Sequence, residues 1–181
     1  AMALIELSID DVRAEIRGEE DRLSIAVSNG RRSTVVAGDP DRVQTLMTRL
    51  TTREIFCKAI NVDVASHSPQ MDALRDDLVA AIDGIVPGPG RIPMHSTVLN
   101  RLVDGASLTP DYWARNLREP VLFGAAVERL VSEGTRTFVE ISPHPVLTQA
   151  IETTLREDVG GQEIDRDGAD GSDAGLVVPS M

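Results

Sequence analysis

The sequence predicts an α/β protein in two parts, and three observations carry that expectation. Strand-like alternation and helix-like periodicity follow one another as β-α-β-β-α-β over residues 3–62. Strand and helix patterns then keep alternating as far as residue 156, which predicts further, parallel strands of an α/β sheet. From residue 157 to 175 glycine and aspartate replace the apolar residues, the composition of a solvated linker.

The first part is legible element by element. Residues 3–7 are a short aliphatic run and read as a strand. Ser8 is placed to cap a helix, with Asp10 and Asp11 in the first turn where the helix dipole favours anions. Val12 and Ile16 follow at helical spacing, and Gly18 ends the segment. Leu23, Ile25 and Val27 alternate with small or polar residues; Asn29-Gly30 then predicts a hairpin turn, and residues 33–37 the returning strand. Asp39 with Pro40 after it opens a second helix, on which Val43, Leu46, Met47 and Leu50 form one stripe. Residues 55–62 read as a fourth strand. This order is that of a ferredoxin-like unit, assigned to residues 1–63.

In the second part, Ser68 and Pro69 begin a helix whose apolar face is Met71, Leu74, Leu78 and Ile82, and Pro87-Gly88-Pro89-Gly90 breaks it. Residues 92–98 read as a strand and Asp104-Gly105 as a turn. Thr109-Pro110 starts a helix carrying Tyr112 and Trp113, and another follows Pro120 with Leu122, Val127, Leu130 and Val131 until Gly134. Residues 138–141 form a strand; Val146, Leu147, Ala150, Ile151 and Leu155 line a last helix. Residues 157–181 are a linker, partly disordered, with apolar Leu176-Val177-Val178-Pro179 docking after it.

The bulk properties limit the function. The chain has 181 residues with 41% apolar and only 3% aromatic, so aliphatic side chains must fill its core. A net charge of −11 disfavours a nucleic-acid or anionic-membrane surface, since like charges repel. Cys57 is the only cysteine, which leaves no intrachain disulfide and no thiolate cluster; it reads as a small buried hydrophobe. No apolar run reaches membrane-spanning length and no signal-peptide pattern occurs, so a cytoplasmic setting is expected.

Few motifs carry chemistry alone. His67, His95 and His144 share no metal-ligand spacing, so no metal site is expected. Neither a phosphate-binding glycine loop nor a Gly-x-Ser-x-Gly elbow occurs. Ser66 and Ser68 flank His67, but neighbours in an extended chain point to opposite sides and do not form a nucleophile–base pair. His67 precedes a helix start, a position that suits either a proton-transfer residue or a structural histidine. His95, within a strand pattern, and His144, near a helix start, read as structural.

Four blocks change that balance. Asp63-Val64-Ala65-Ser66-His67-Ser68-Pro69-Gln70-Met71, Ile92-Pro93-Met94-His95-Ser96-Thr97-Val98, Tyr112-Trp113-Ala114-Arg115-Asn116-Leu117-Arg118-Glu119-Pro120-Val121 and Phe138-Val139-Glu140-Ile141-Ser142-Pro143-His144-Pro145-Val146-Leu147 occur in that order. With Ala1-Met2-Ala3-Leu4-Ile5 and Ile25-Ala26-Val27-Ser28-Asn29-Gly30, the chain resembles, over residues 1–156, the acyltransferase domain of modular type I polyketide synthases. That family is related to malonyl-CoA:acyl carrier protein transacylase.

The resemblance implies a serine that attacks an acyl-CoA thioester and passes the acyl group to the phosphopantetheine thiol of an acyl carrier protein, with no bound cofactor. It makes His67 the general base and acid, oriented by the backbone carbonyl of Glu119. It makes Val64, Ala65 and Ser66 the specificity block: malonyl-selective members carry His-Ala-Phe-His there and methylmalonyl-selective ones Tyr-Ala-Ser-His. Ser66 is small where the malonyl type is bulky, which favours an α-substituted extender such as methylmalonyl, while Val64 departs from both. It also implies that residues 64–156 are the C-terminal part of an α/β-hydrolase-like large subdomain. The serine elbow, oxyanion donors and substrate-binding arginine belong to a preceding segment, so the isolated chain is expected to be inactive and to need the N-terminal part of its domain. Neighbouring synthase domains are further expected partners. The rival expectation is a non-catalytic piece that docks a carrier protein or a neighbouring domain.

Overall fold

The computed structural model describes residues 1–161 and 175–179. The chain divides into two compact units, Ala1–Phe123 and Gly124–Met181.

The first unit opens with β1 (Met2–Ile5), α1 (Ile9–Glu15), β2 (Leu23–Gly30), β3 (Ser33–Gly38), α2 (Pro40–Thr51) and β4 (Cys57–Ile60), the element order expected from the sequence. These strands form one antiparallel sheet in the order β2-β3-β1-β4. The helix starts follow local chemistry. Ser8 accepts a hydrogen bond from the Asp11 N–H at 3.1 Å, and Asp39 accepts from the Asp41 and Arg42 N–H groups at 3.0 and 3.3 Å. Both helices pack on one sheet face, where Ile5, Val12, Ile16, Leu23, Val36, Val43, Leu46 and Leu50 form a continuous buried cluster. Met2, Val35 and Ala37 are buried on the other face, together with Ala26 and Ala65. The period of two along each strand produces this division. Cys57 is half-buried beside the first cluster, and burial pushes its thiol pKa up against a hydrogen bond with Thr51.

The hairpin differs from expectation. Gly30 pairs with Ser33, so the turn is Arg31-Arg32 and Asn29-Gly30 ends the strand. The ladder also shifts twice, between Ile25 and Val27 and between Ser28 and Gly30. At the first shift Ile25 faces Val36 and Val27 faces Val35, leaving Ala26 as the extra residue of a β-bulge.

After β4 the predicted long helix is composite: a 3-10 segment (Pro69–Leu74) runs into α3 (Arg75–Ile82). Ser68 caps it, its Oγ accepting from the Gln70 N–H at 3.3 Å. The strand expected over residues 92–98 shortens to β5 (Met94–Ser96). It pairs antiparallel with an unforeseen β6 (Arg101–Val103), rather than adding a parallel strand. α4 (Pro110–Arg118) starts at its Thr109 cap. Tyr112 packs edge-on against Trp113, and its hydroxyl lies 2.9 Å from the buried Ser96 Oγ. A cavity of about 640 Å³ opens between α3 and α4, lined by Leu78, Ile82, Ile85, Leu108, Trp113 and Leu117 among others.

The second unit contains α5 (Phe123–Ser132), β7 (Thr137–Glu140), α6 (Thr148–Gly161) and β8 (Leu176–Pro179), with β7 and β8 parallel. α5 starts one residue after Leu122, and α6 starts after Val146 and Leu147, so those three residues precede the helices predicted to hold them. α6 continues to Gly161, so the first residues of the expected linker are helical; residues 162–174 lie outside the described residues. The Leu176 segment docks as expected, as a strand on β7. Among the described residues no helix is long and apolar enough to cross a membrane.

Candidate active site

His67 lies in the loop between β4 and the 3-10 segment, and its backbone is not extended as expected. Its φ is +58°, the left-handed region that only a few per cent of non-glycine residues adopt, histidine more often than most. The loop is closed locally by the fully buried Ser68, whose Oγ donates to the Ala65 carbonyl at 2.6 Å. That bond commits the Ser68 hydroxyl to the backbone and removes it from any nucleophilic role.

The imidazole meets the end of α4. His67 Nδ1 is 2.9 Å from the Glu119 carbonyl oxygen, and the His67 N–H donates to the Leu117 carbonyl at 3.2 Å. A carbonyl can only accept, so the neutral ring must carry its proton on Nδ1, which leaves the Nε2 lone pair as a proton acceptor. Glu119 presents that carbonyl because Pro120 follows it. A residue before proline is pushed out of the helical region, and Glu119 sits at φ −83°, ψ 158°.

The Glu119 side chain is separately tied. Its two carboxylate oxygens accept from Arg115 Nε and Nη2 at 2.7 and 2.9 Å, one helical turn back. The Arg115 hydrogen bond holds the Glu119 carboxyl below its ordinary pKa despite partial burial, with the charges of Arg115 and Arg118 adding to it. Arg118 also pairs with Asp72 at 2.8 Å, and Arg75 with Asp111 at 2.9 Å, so two ion pairs join α4 to the segment following His67.

The three residues before His67 are placed differently from one another. Ala65 is 3% exposed and packs with Met2, Ala26, Val35 and Ala37, anchoring the loop on the sheet. Ser66 is half-buried, and Val64 is 51% exposed. His95 lies in β5, and the exposed His144 lies in the loop before α6, four residues ahead of the helix start expected for it. Among the described residues no group of His, Cys, Asp and Glu could hold a metal ion.

Sequence reasoning missed two groups. Ser24 on β2 donates from Oγ to the His67 carbonyl at 2.9 Å, across 43 residues that no local pattern connects. Glu140, at the end of β7, accepts from the N–H groups of Val146, Leu147 and Thr148 and from the Thr148 hydroxyl, at 2.8–3.2 Å, and shares the Ser142 hydroxyl, 2.9 Å away, with the His144 carbonyl at 2.7 Å. Burial alone would raise its pKa, but these donors outweigh that and hold it down to about 2. A glutamate preceding Ser-Pro-His-Pro gives no sign that it will fold back onto the next helix start.

The family profile of the acyl transferase domain matches residues 1–181. Erythronolide synthase EryA2 of Saccharopolyspora erythraea is 42% identical over 180 residues, which cover 99% of this chain and 5% of that protein. Mycoketide-CoA synthase of Mycobacterium tuberculosis is 37% identical over 180 residues, again 99% of this chain and 4% of that protein. Among solved structures, the acyltransferase domain from module 8 of the salinomycin polyketide synthase superposes with a TM-score of 0.88 at 36% identity, covering 99% of this chain and 40% of that one. The chain thus spans a twentieth or less of the length of these two synthases and under half of that solved chain.

Proposed function

The chain belongs to the acyltransferase domains of modular polyketide synthases, and from that premise we propose that it supplies the proton-transfer half of extender loading. In this reading residues 1–63 are the ferredoxin-like small subdomain and residues 64–156 belong to the α/β-hydrolase-like large subdomain. The nucleophilic serine lies outside the 181 residues, in the N-terminal part of the same domain. This chemistry requires no bound cofactor. The acyl-CoA and the phosphopantetheine arm of an acyl carrier protein are substrates, within a cytoplasmic multidomain synthase.

His67 Nε2 takes the serine proton as the serine oxygen attacks the thioester carbonyl, and the resulting imidazolium returns that proton to the departing coenzyme A thiolate. The second half-reaction reverses the roles. Nε2 removes the proton of the phosphopantetheine thiol as its sulfur attacks the acyl-serine, then protonates the released serine oxygen. Throughout, the Glu119 carbonyl keeps the ring in one tautomer and stabilises the imidazolium charge through Nδ1–H. Ser66, small and half-buried beside His67, leaves room for an α-methyl group, so methylmalonyl is the preferred extender.

One observation carries the reading: the 2.9 Å contact between His67 Nδ1 and the Glu119 carbonyl, which leaves Nε2 to act. The test is His67→Ala in a complete acyltransferase domain containing this segment. Transfer is expected to fall on the order of a hundred-fold or more, the usual cost of losing a positioned base, with the circular dichroism spectrum unchanged. Wild-type transfer by that variant would make the histidine structural and sink the proposal.

A further inference from the structure

We infer that Ser24 is a positioning residue for His67, and that β2 aligns both members of the His67–Glu119 pair. This deepens the reading of His67 as the base and rests on it for its functional meaning.

A left-handed non-glycine residue persists only where its surroundings fix it from several sides. His67 is held at three polar groups. Its N–H donates to Leu117, its ring Nδ1–H donates to Glu119, and its carbonyl accepts from the Ser24 hydroxyl. The first two partners belong to one helix end. Only the third comes from another element, so Ser24 fixes the rotation of the His67 peptide relative to the sheet. The Ser24 hydroxyl has one proton and two acceptors in reach, the His67 carbonyl at 2.9 Å and the Ala37 carbonyl at 3.4 Å. The shorter contact takes it. Ser24 therefore bonds away from its own sheet.

The acceptor side is referenced to the same strand. β2 is an outer strand of the sheet, and its free edge pairs with the chain just after Glu119-Pro120. The Val121 N–H donates to the Ala26 carbonyl and the Ser28 N–H to the Val121 carbonyl, both at 2.8 Å. Ala26, the extra residue of the bulge, gives its carbonyl to Val121. Within five residues, then, β2 holds the histidine through Ser24 and the carbonyl that orients it through Ala26 and Ser28. A bulge that re-aims an edge beside a site is a recurrent device.

The experiment uses a complete acyltransferase domain containing this segment, with 15N-labelled histidine. His67→Gln identifies the His67 signals against those of the other histidines. Ser24→Ala, Ser24→Thr and Ser24→Val are then compared for imidazole nitrogen shifts, which report the tautomer, and for exchange of the His67 Nδ1–H with water. Thr and Val have the same shape and strand preference and differ only in the hydroxyl. They decide the matter even if Ser24→Ala misfolds.

We expect Ser24→Thr to keep the Nδ1–H tautomer and its exchange rate. Ser24→Val should exchange that proton about five- to tenfold faster, the worth of one hydrogen bond, with part of the ring moved to the Nε2–H tautomer. Indistinguishable Thr and Val variants would overturn the assignment. A failure of the base reading looks different: transfer would survive His67→Ala while the Thr–Val contrast in tautomer remained.

Discussion

Residues 1–63 and residues 64–123 belong to one unit but treat their apolar side chains in opposite ways. In the first, helix stripes and strand faces close on each other, and Ile5, Leu46 and Leu50 are at most 2% exposed. In the second, α3 has no buried residue, and Ile85, Val86 and Ile92 are 58%, 90% and 83% exposed. A cavity of about 640 Å³, of the size that holds a small ligand, lies beside them. The polar contacts divide in reverse. The loop and helix end that meet at His67 and Glu119 belong to the open region, and the closed one supplies Ser24 and the β2 edge. The closed sheet is the reference against which the loop at His67 and the helix end at Glu119 are placed.

Core truncation should expose the difference most strongly. Leu50→Ala is expected to cost about 2–5 kcal/mol, the range for a buried leucine that leaves a cavity. Ile85→Ala, already exposed, should stay within about 0.5 kcal/mol. Urea unfolding followed by far-ultraviolet circular dichroism measures both. Trp113, the only tryptophan, lines the cavity, so its fluorescence follows the open region alone. Equal costs for the two variants would erase the comparison.

A smaller effect concerns selection. Ser66→Phe, in a complete domain, should penalise methylmalonyl-CoA relative to malonyl-CoA by about 1–3 kcal/mol in kcat/KM, since a ring would occupy the space of the α-methyl group. A uniform loss for both thioesters would mean that Ser66 does not face the α-carbon.

The smallest effect is electrostatic. Among the described residues, the two carboxyl groups held below their ordinary range, Glu119 and Glu140, lie after residue 63. A depressed carboxyl stabilises the fold above its unfolded pKa, near 4.5, and loses that contribution as pH falls through its folded value. Glu140 should therefore make stability decline between about pH 4.5 and 2, and Glu140→Gln should flatten that slope. The half-exposed Arg115–Glu119 pair adds only about 0.3–0.5 kcal/mol, as exposed pairs one turn apart do. Acid titration of the unfolding free energy checks both. An unchanged slope in Glu140→Gln would break the assignment.

What the sequence made legible was whatever its near neighbours decide. The caps at Ser8, Asp39, Ser68 and Thr109 are each satisfied by an N–H two or three residues on, and the stripe from Val43 to Leu50 needs only a helix to line up. The pairing of His67 with the carbonyl before Pro120 was expected from family resemblance alone, because the two lie 52 residues apart. The left-handed backbone at His67, the bulge at Ala26 and the reach of Ser24 escaped notice for the same reason. Each is imposed by a partner distant in the chain. β6 was missed because Arg101-Leu102-Val103 is too short a run to show a period.

The bulge at Ala26 has a practical bearing on recombination. Anyone exchanging segments between synthases to change the loaded unit must choose crossover points. The residues proposed to select the extender occupy one short loop, but the frame that aims the neighbouring imidazole is written in residues 24–28 and again in residues 117–121. A graft limited to residues 64–66 leaves both inscriptions in the host. A graft whose boundary falls between them joins a host's bulge to a donor's helix end, and the two must agree on an offset of a single residue.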